Sequence, residues 1–129
     1  MGHPFDCLLK ITIYFTVQKD MNTSVTSFEQ KVYAATRLIP VGKVSTYALI
    51  ATVIGHHFSQ RAVGNALNKN PFRNVPCHRV VRSDGLVGGY FRGEKIKIKL
   101  LRKEGVRIQG GRVDPSAIHA PEGHWFARG

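Results

Sequence analysis

The stretch Ser45-Thr-Tyr-Ala-Leu-Ile-Ala-Thr-Val-Ile-Gly55-His-His-Phe-Ser-Gln-Arg61-Ala-Val-Gly64-Asn-Ala-Leu-Asn68 decides the fold class. Its first half predicts a helix over 46–54, with Ser45 as N-cap and Gly55 as C-terminal stop. Its second half predicts a helix from Gln60 to about Asn68, capped by Ser59. The short connection Gly55 to Phe58 has the length of a helix-turn-helix turn. Upstream, Ser27-Phe-Glu-Gln30 reads as a capping box, and Phe28, Val32, Ala35 and Ile39 then recur at helical spacing until Pro40 ends the helix. Val41-Gly-Lys-Val44 supplies the turn between.

Downstream, Pro71 and Pro76 bracket an irregular loop, Val80-Val81 suggests a short strand, and Gly85, Gly88 and Gly89 allow tight turns where the backbone can approach a partner. Ile96-Lys-Ile-Lys-Leu100 alternates like a strand, but the length of Glu94 to Lys103 and the stop at Gly105 favour a helix. On that helix Lys97, Leu100, Leu101 and Glu104 share one face, which turns a carboxylate inward. Residues 1–26 hold one β-rich run, Ile11 to Val17, and read as an add-on strand or a loosely ordered leader. The tail from Gln109 has no sustained period. The expected organisation is a short N-terminal segment 1–26, a domain over 27–108 and a C-terminal tail 109–129.

The chain has 129 residues, the size of one domain, and is 43% hydrophobic, enough for a core. Its 19 Lys and Arg against 8 Asp and Glu leave a net charge of +11. That balance makes a polyanion the leading partner. Cys7 and Cys77 stand far apart without CxxC or Cys/His ligand spacing, which excludes a disulfide scaffold and a zinc ribbon and leaves no metal site. A reducing compartment fits. No apolar run approaches the ~20 residues of a membrane span, so no membrane partner is expected.

The chemistry-bearing stretch is Pro76-Cys77-His78-Arg79-Val80. A free thiol has a pKa near 8.5 and is only slightly ionised at neutral pH, so a nucleophilic cysteine needs a base or a positive neighbour. His78 is an available base, and Arg79 and Arg82 add local positive charge. A Cys-His dipeptide by itself is more often a buried small residue beside a surface histidine, because adjacent side chains do not automatically face one another. Here the dipeptide follows a basic helix pair and precedes a glycine rim and an inward carboxylate.

In this order, Phe28-Glu-Gln-Lys-Val32, Val44-Ser-Thr-Tyr47, Arg61-Ala-Val-Gly64, Asn70-Pro71, Pro76-Cys-His-Arg-Val80, Ser83-Asp-Gly85, Gly88-Gly-Tyr90 and Leu100-Leu-Arg-Lys-Glu-Gly105 resemble the C-terminal domain of the O6-alkylguanine-DNA alkyltransferases. The match covers about residues 27 to 107. The implied fold is mainly α, a winged helix-turn-helix-like domain with a short β element, without the family's N-terminal α/β domain. The implied activity is transfer of an alkyl group from guanine O6 in double-stranded DNA to Cys77, once per molecule and without a cofactor.

By resemblance, His78 draws the thiol proton through a bound water and Glu104 orients the imidazole, which on this reading lowers the pKa of Cys77. Asn70 is the hinge asparagine. Tyr47 presses on the DNA backbone and donates toward guanine N3. Arg61 fills the gap left by a flipped nucleotide, which offsets part of the cost of extrusion. The small residues Ala62, Gly64 and Ala66 suit a helix entering the minor groove. The Val80 and Cys77 carbonyls accept from the guanine amine, Tyr90 stands at the O6 edge, and the Phe91 amide donates near O6.

The sequence departs from the family in a shorter loop between Asn70 and Cys77 and in Phe91-Arg92, where small residues are common. Competing readings are a non-catalytic alkyltransferase-like protein that flags lesions, a winged-helix regulator, and a thiol hydrolase. Cys77 argues against the first, since its members carry another residue there. The inward Glu104 and the glycine rim argue against the second, and the lack of an oxyanion-hole motif against the third. The resemblance implies a monomer in the cytoplasm, nucleoid-associated in a prokaryote.

Overall fold

Two valines at the centre of the chain organise the packing. In the computed structural model, which describes residues 25–120, Val80–Val81 forms strand β2 and pairs in parallel with β1, Ser45–Thr46, with Ser45 opposite Val80 and Thr46 opposite Val81. Alternate residues of a strand face opposite sides. Val80 accordingly joins one apolar cluster with Val32, Tyr33, Ile50, Val63, Leu67 and Cys77. Val81 joins a second, with Val44, Val87, Leu101, Val106 and Val113. The small sheet is the wall between two cores, and the molecule is mainly helical with short strands.

Helix α1, Ser27–Arg37, begins one residue earlier than the pattern Ser27 to Gln30 predicts. Thr26 is the N-cap: its Oγ1 accepts from the Glu29 amide at 3.1 Å, and Glu29 Oε1 accepts from the Thr26 amide at 3.0 Å. Both overlapping patterns offer a hydroxyl and a long acceptor, and the one with a carboxylate prevails because the helix N-terminus favours negative charge. Burial opposes ionisation of Glu29, but Lys69 at 2.6 Å and the Thr26 amide hold its carboxyl below the ordinary value. This ion pair ties α1 to Lys69 at the end of the helix Gln60–Asn68.

The helix pair α2, Tyr47–Val53, and α3, Gln60–Asn68, packs closely. Gly55 terminates α2 with φ +79°, its amide donating to Thr52 while the His56 amide reaches back to Ala51. This is a Schellman closure. Two caps differ from expectation. Ser45 belongs to β1, its hydroxyl buried without a partner, and Thr46 caps α2 through Leu49 at 3.0 Å. Ser59 sits at the start of α3 but makes no side-chain cap.

Helix α4, Glu94–Lys103, is a helix as its length predicts, and Glu104 follows as its C-cap. Beyond it lies an element without a periodic signature, the hairpin of β3, Ile108–Gln109, and β4, Arg112–Val113. Gly110 and Gly111 both have positive φ, as a two-residue hairpin turn of this hand demands. Val113 and Ala117 are buried, and the His119 amide donates to Val44 at 2.6 Å. Packing therefore continues past Ile108. The expected strand at Ile11 to Val17 and Cys7 lie outside the described residues.

The cap of α1 is directly testable. Thr26→Ala is expected to cost about 1 kcal/mol in urea unfolding, whereas Ser27→Ala costs a few tenths at most, because only Thr26 satisfies an orphan amide.

Candidate functional site

Pro76 aims the central thiol. Its φ of −79° and ψ of 69° form an inverse γ-turn, closed by the Cys77 amide on the Val75 carbonyl at 2.8 Å. Proline's ring fixes a φ that suits this turn. A single 3₁₀ turn, Cys77–Arg79, then leads into β2. The Cys77 side chain is buried, and its Sγ touches the end of α3, donating to the Leu67 carbonyl at 3.6 Å.

Asn70 stitches this arrangement together. Its Nδ2 donates to Cys77 Sγ at 3.1 Å and to the Phe72 carbonyl at 2.8 Å, while its Oδ1 accepts from the Phe72 amide at 2.9 Å. One amide side chain thus holds the exit of α3, the loop and the sulfur in register. The shorter loop leaves this bracing intact.

Burial dominates the thiol's electrostatics. It pushes the pKa of Cys77 up to about 11, against the opposing influence of Asn70, a backbone amide and the charge of Lys97. The resting group is a neutral thiol. Glu104 makes no direct contribution to this value. Arg79 and Arg82, expected as positive neighbours, are engaged elsewhere. Arg79 grips Glu104 through Nε at 3.0 Å and Nη2 at 2.9 Å and donates from Nη1 to the Ile39 carbonyl at 2.9 Å. Arg82 pairs with Asp84 at 3.0 Å on the surface.

Glu104 instead organises the base. Its Oε2 lies 2.9 Å from His78 Nε2. A carboxylate only accepts, so Nε2 carries the hydrogen and the neutral ring presents Nδ1 as the basic atom. Burial raises the Glu104 pKa, but the hydrogen bonds from Arg79 and His78 prevail and hold the carboxyl below its ordinary value. No direct hydrogen bond joins Cys77 to His78; proton transfer between them requires a bridging molecule.

Lys97 completes the site, a residue placed on the inward face by helical spacing but given no role there. It is wholly buried, its Nζ donating to the Gly89 carbonyl at 3.0 Å and to Tyr47 Oη at 3.5 Å. Burial lowers its pKa to about 8, partly offset by Cys77 and Glu94. Burial also raises the pKa of Tyr47, so its phenol is a proton donor. The signal in the sequence was a lysine in step with Leu101 and Glu104 on one helix.

Two concavities flank this core. The first, about 720 Å³, is lined by Asn70, Cys77, His78, Tyr90 and Phe91, with Arg37 and Arg92 among its cations. Its size falls within the range of small-molecule sites, ~300–1,000 Å³. The rings of Tyr90 and Phe91 lie 4.7 Å apart at its mouth. Val80 does not line it; its side chain is buried in the core, and the Cys77 carbonyl already accepts from the Val80 amide. The second concavity, about 830 Å³, gathers Tyr47, Phe58, Arg61, Gly64 and Arg82. Arg61 and Ala62 are exposed on α3. Ala66 is corrected: it is 1% exposed, packed in the core with its carbonyl accepting from Tyr33 Oη at 2.7 Å. Asn65 and Asn68, at positions that no motif singles out, are exposed on α3 along with Gln60 and Arg61.

Residues 27–106 match the family model of the 6-O-methylguanine DNA methyltransferase DNA-binding domain. A relative from Saccharolobus solfataricus, named methylated-DNA–protein-cysteine methyltransferase, is 43% identical over 105 residues, covering 77% of this chain and 68% of its own. A structure of Mycobacterium tuberculosis OGT in complex with DNA superposes with a TM-score of 0.59 at 42% identity, covering 61% of this chain and 50% of the other. S. pombe Atl1, in complex with damaged DNA containing O6-carboxymethylguanine, superposes with a TM-score of 0.65 at 37% identity, covering 73% of this chain and 95% of Atl1. The chain thus spans about two thirds of the first relative and half of the second.

The buried lysine has a thermodynamic signature. Its folded pKa, about 8, lies below the unfolded value near 10.4, so above pH 8 the folded state binds fewer protons and stability rises with pH. The thiol acts oppositely: its contribution is present below the ordinary thiol value and is lost as pH rises through about 11. In a Cys77→Ser background, which removes the thiol's opposing contribution, urea unfolding is expected to show stability climbing by about 1 kcal/mol between pH 8 and pH 9. Lys97→Met is expected to flatten that climb and to stabilise the fold at pH 7 by on the order of 2 kcal/mol.

Proposed function

Because the chain belongs to the 6-O-methylguanine DNA methyltransferase family, we propose that it repairs DNA by moving an alkyl group from guanine O6 to Cys77 Sγ in a single turnover. The observation that carries this reading is the buried Cys77 thiol in a cleft, hydrogen-bonded to Asn70 and next in the chain to a histidine that a carboxylate orients.

The step balances without a cofactor. Sγ attacks the alkyl carbon in line, the S–C bond forms, the C–O6 bond breaks, and its electron pair returns to the guanine ring. The thiol proton passes through a bridging water to His78 Nδ1, and the departing guanine takes up one proton. Tyr47, held protonated by burial, is the donor toward the base, and Lys97 behind its hydroxyl stabilises charge that develops there. A thiol that is neutral at rest ionises only when an electrophile occupies the cleft, which limits side reactions of a protein that acts once.

An alkyl carbon on a stacked base is out of reach of a buried sulfur, so the nucleotide is extruded into the cleft at a cost of a few kcal/mol. Arg61, exposed on α3 with Tyr47 in the neighbouring concavity, is positioned to fill the gap. Tyr90 and the Phe91 backbone form the mouth at the O6 side, and the basic surface binds the phosphates as a single protein chain in the compartment that holds the DNA. The extent to which the fold covers Atl1 keeps one second reading in play, a lesion binder without transfer, and the thiol at position 77 decides against it.

Intact-mass analysis after incubation with a duplex containing O6-methylguanine is expected to show one added methyl group, mapping to Cys77. Cys77→Ala is expected to gain none and to bind the same duplex within about threefold of wild type, because phosphate contacts dominate affinity. A folded wild type that binds the duplex and gains no mass points to the lesion-binding reading. Arg61→Ala is expected to slow transfer from duplex DNA at least tenfold more than transfer from a free O6-benzylguanine base, which needs no extrusion.

A further inference from the structure

We propose that Phe58 is a second groove-entering side chain, an apolar wedge that presses on the sugars and base edges of the DNA minor groove beside Arg61. The inference rests on the DNA-repair reading above and adds to it a contact residue outside the matched motifs.

Three observations carry it. First, Phe58 precedes the N-cap of α3, where an apolar residue ordinarily folds back onto the fourth helical position. That position is Val63, which is wholly buried, yet Phe58 is 94% exposed. The local packing that its sequence position invites is not made.

Second, the backbone turns the ring outward. Phe58 has φ +67°, the one positive φ at a non-glycine residue among the described residues. Glycine or asparagine adopts this conformation readily, whereas a bulky side chain does so under strain. Exposure and strain coincide on one residue, and both oppose stability in the free protein. Residues held this way cluster at ligand-contacting positions.

Third, the surroundings suit a nucleic acid. Phe58 shares its concavity with Tyr47, Arg61, Gly64 and the Arg82–Asp84 ion pair. Arg61 has no ion-pair partner among the described residues. An exposed ring beside this cation matches a groove with anionic walls and apolar sugar and base surfaces, where single apolar wedges are a recurring device. A protein partner would call for a contiguous apolar patch, and the residues next to the ring in sequence, His57, Ser59, Gln60 and Arg61, are polar.

The test is equilibrium binding of a short fluorescent duplex, measured across a salt series on a Cys77→Ser background. Phe58→Asn removes the ring but tolerates the left-handed backbone, so it should fold with an unchanged or higher melting temperature. It is expected to weaken binding about tenfold at every salt concentration, the lower end of what a base–aromatic contact supplies. The slope of log affinity against log salt stays unchanged, because no charge is removed, whereas Arg61→Ala makes the slope shallower. Phe58→Trp is expected to bind within twofold of the parent. Parent-like binding by Phe58→Asn would overturn the wedge and leave the repair function standing, as would a loss in Phe58→Trp equal to that in Phe58→Asn. Absence of duplex binding by the parent itself would overturn both.

Discussion

The site depends on keeping one sulfur out of water. Cys77 lies against the Leu67 carbonyl at the end of α3 and under the Asn70 amide, and the cost of placing a thiolate there raises its pKa to about 11. At neutral pH roughly one molecule in ten thousand carries the charge. The protein therefore presents a dormant nucleophile with its stabilisers already in place: an amide donor 3.1 Å away and the charge of Lys97. A base entering the cleft would exchange the proton and the alkyl group without the enzyme rearranging its core, which is the sense in which such sites are preorganised.

A second constraint is the Glu104 carboxylate. It receives two hydrogen bonds from Arg79 and one from His78, while Arg79 also reaches the Ile39 carbonyl. Ile39 just beyond α1, the 3₁₀ turn bearing Cys77 and the C-cap of α4 are joined through this Arg79–Glu104 pair. Its carboxyl stays ionised because two donors compensate its partial burial. Orientation of the imidazole and integrity of the fold consequently share a residue.

What the sequence disclosed followed the strength of local signals. Helices α3 and α4 and the strand Val80–Val81 were legible from period, length and glycine stops. The cap of α1 was misplaced by one residue because two overlapping patterns satisfy the same rule and only the charge of Glu29 separates them. Ser45 has the sequence context of a cap because a two-residue strand has no period; pairing with a segment thirty-five residues later claims it. The two-residue strands of the β3–β4 hairpin leave no periodic signature for the same reason. At the site, Cys77, His78, Glu104 and Asn70 come together as their motif implies. The work of Arg79 and Lys97 was hidden because an ion pair or a buried amine depends on distant partners, namely Ile39 and Glu104 for one and Gly89 and Tyr47 for the other. Ala66 shows the limit of composition: a small residue suits a groove and a core equally well.

The central claim, that burial holds Cys77 as a neutral thiol, is tested most directly by its alkylation rate with iodoacetamide across pH, in folded protein carrying Cys7→Ser. The account predicts a rate that climbs about tenfold per pH unit through pH 9 and 10 without levelling, as a pKa near 11 requires. A rate that levels off with a midpoint at or below the ordinary thiol value of about 8.5 would contradict it.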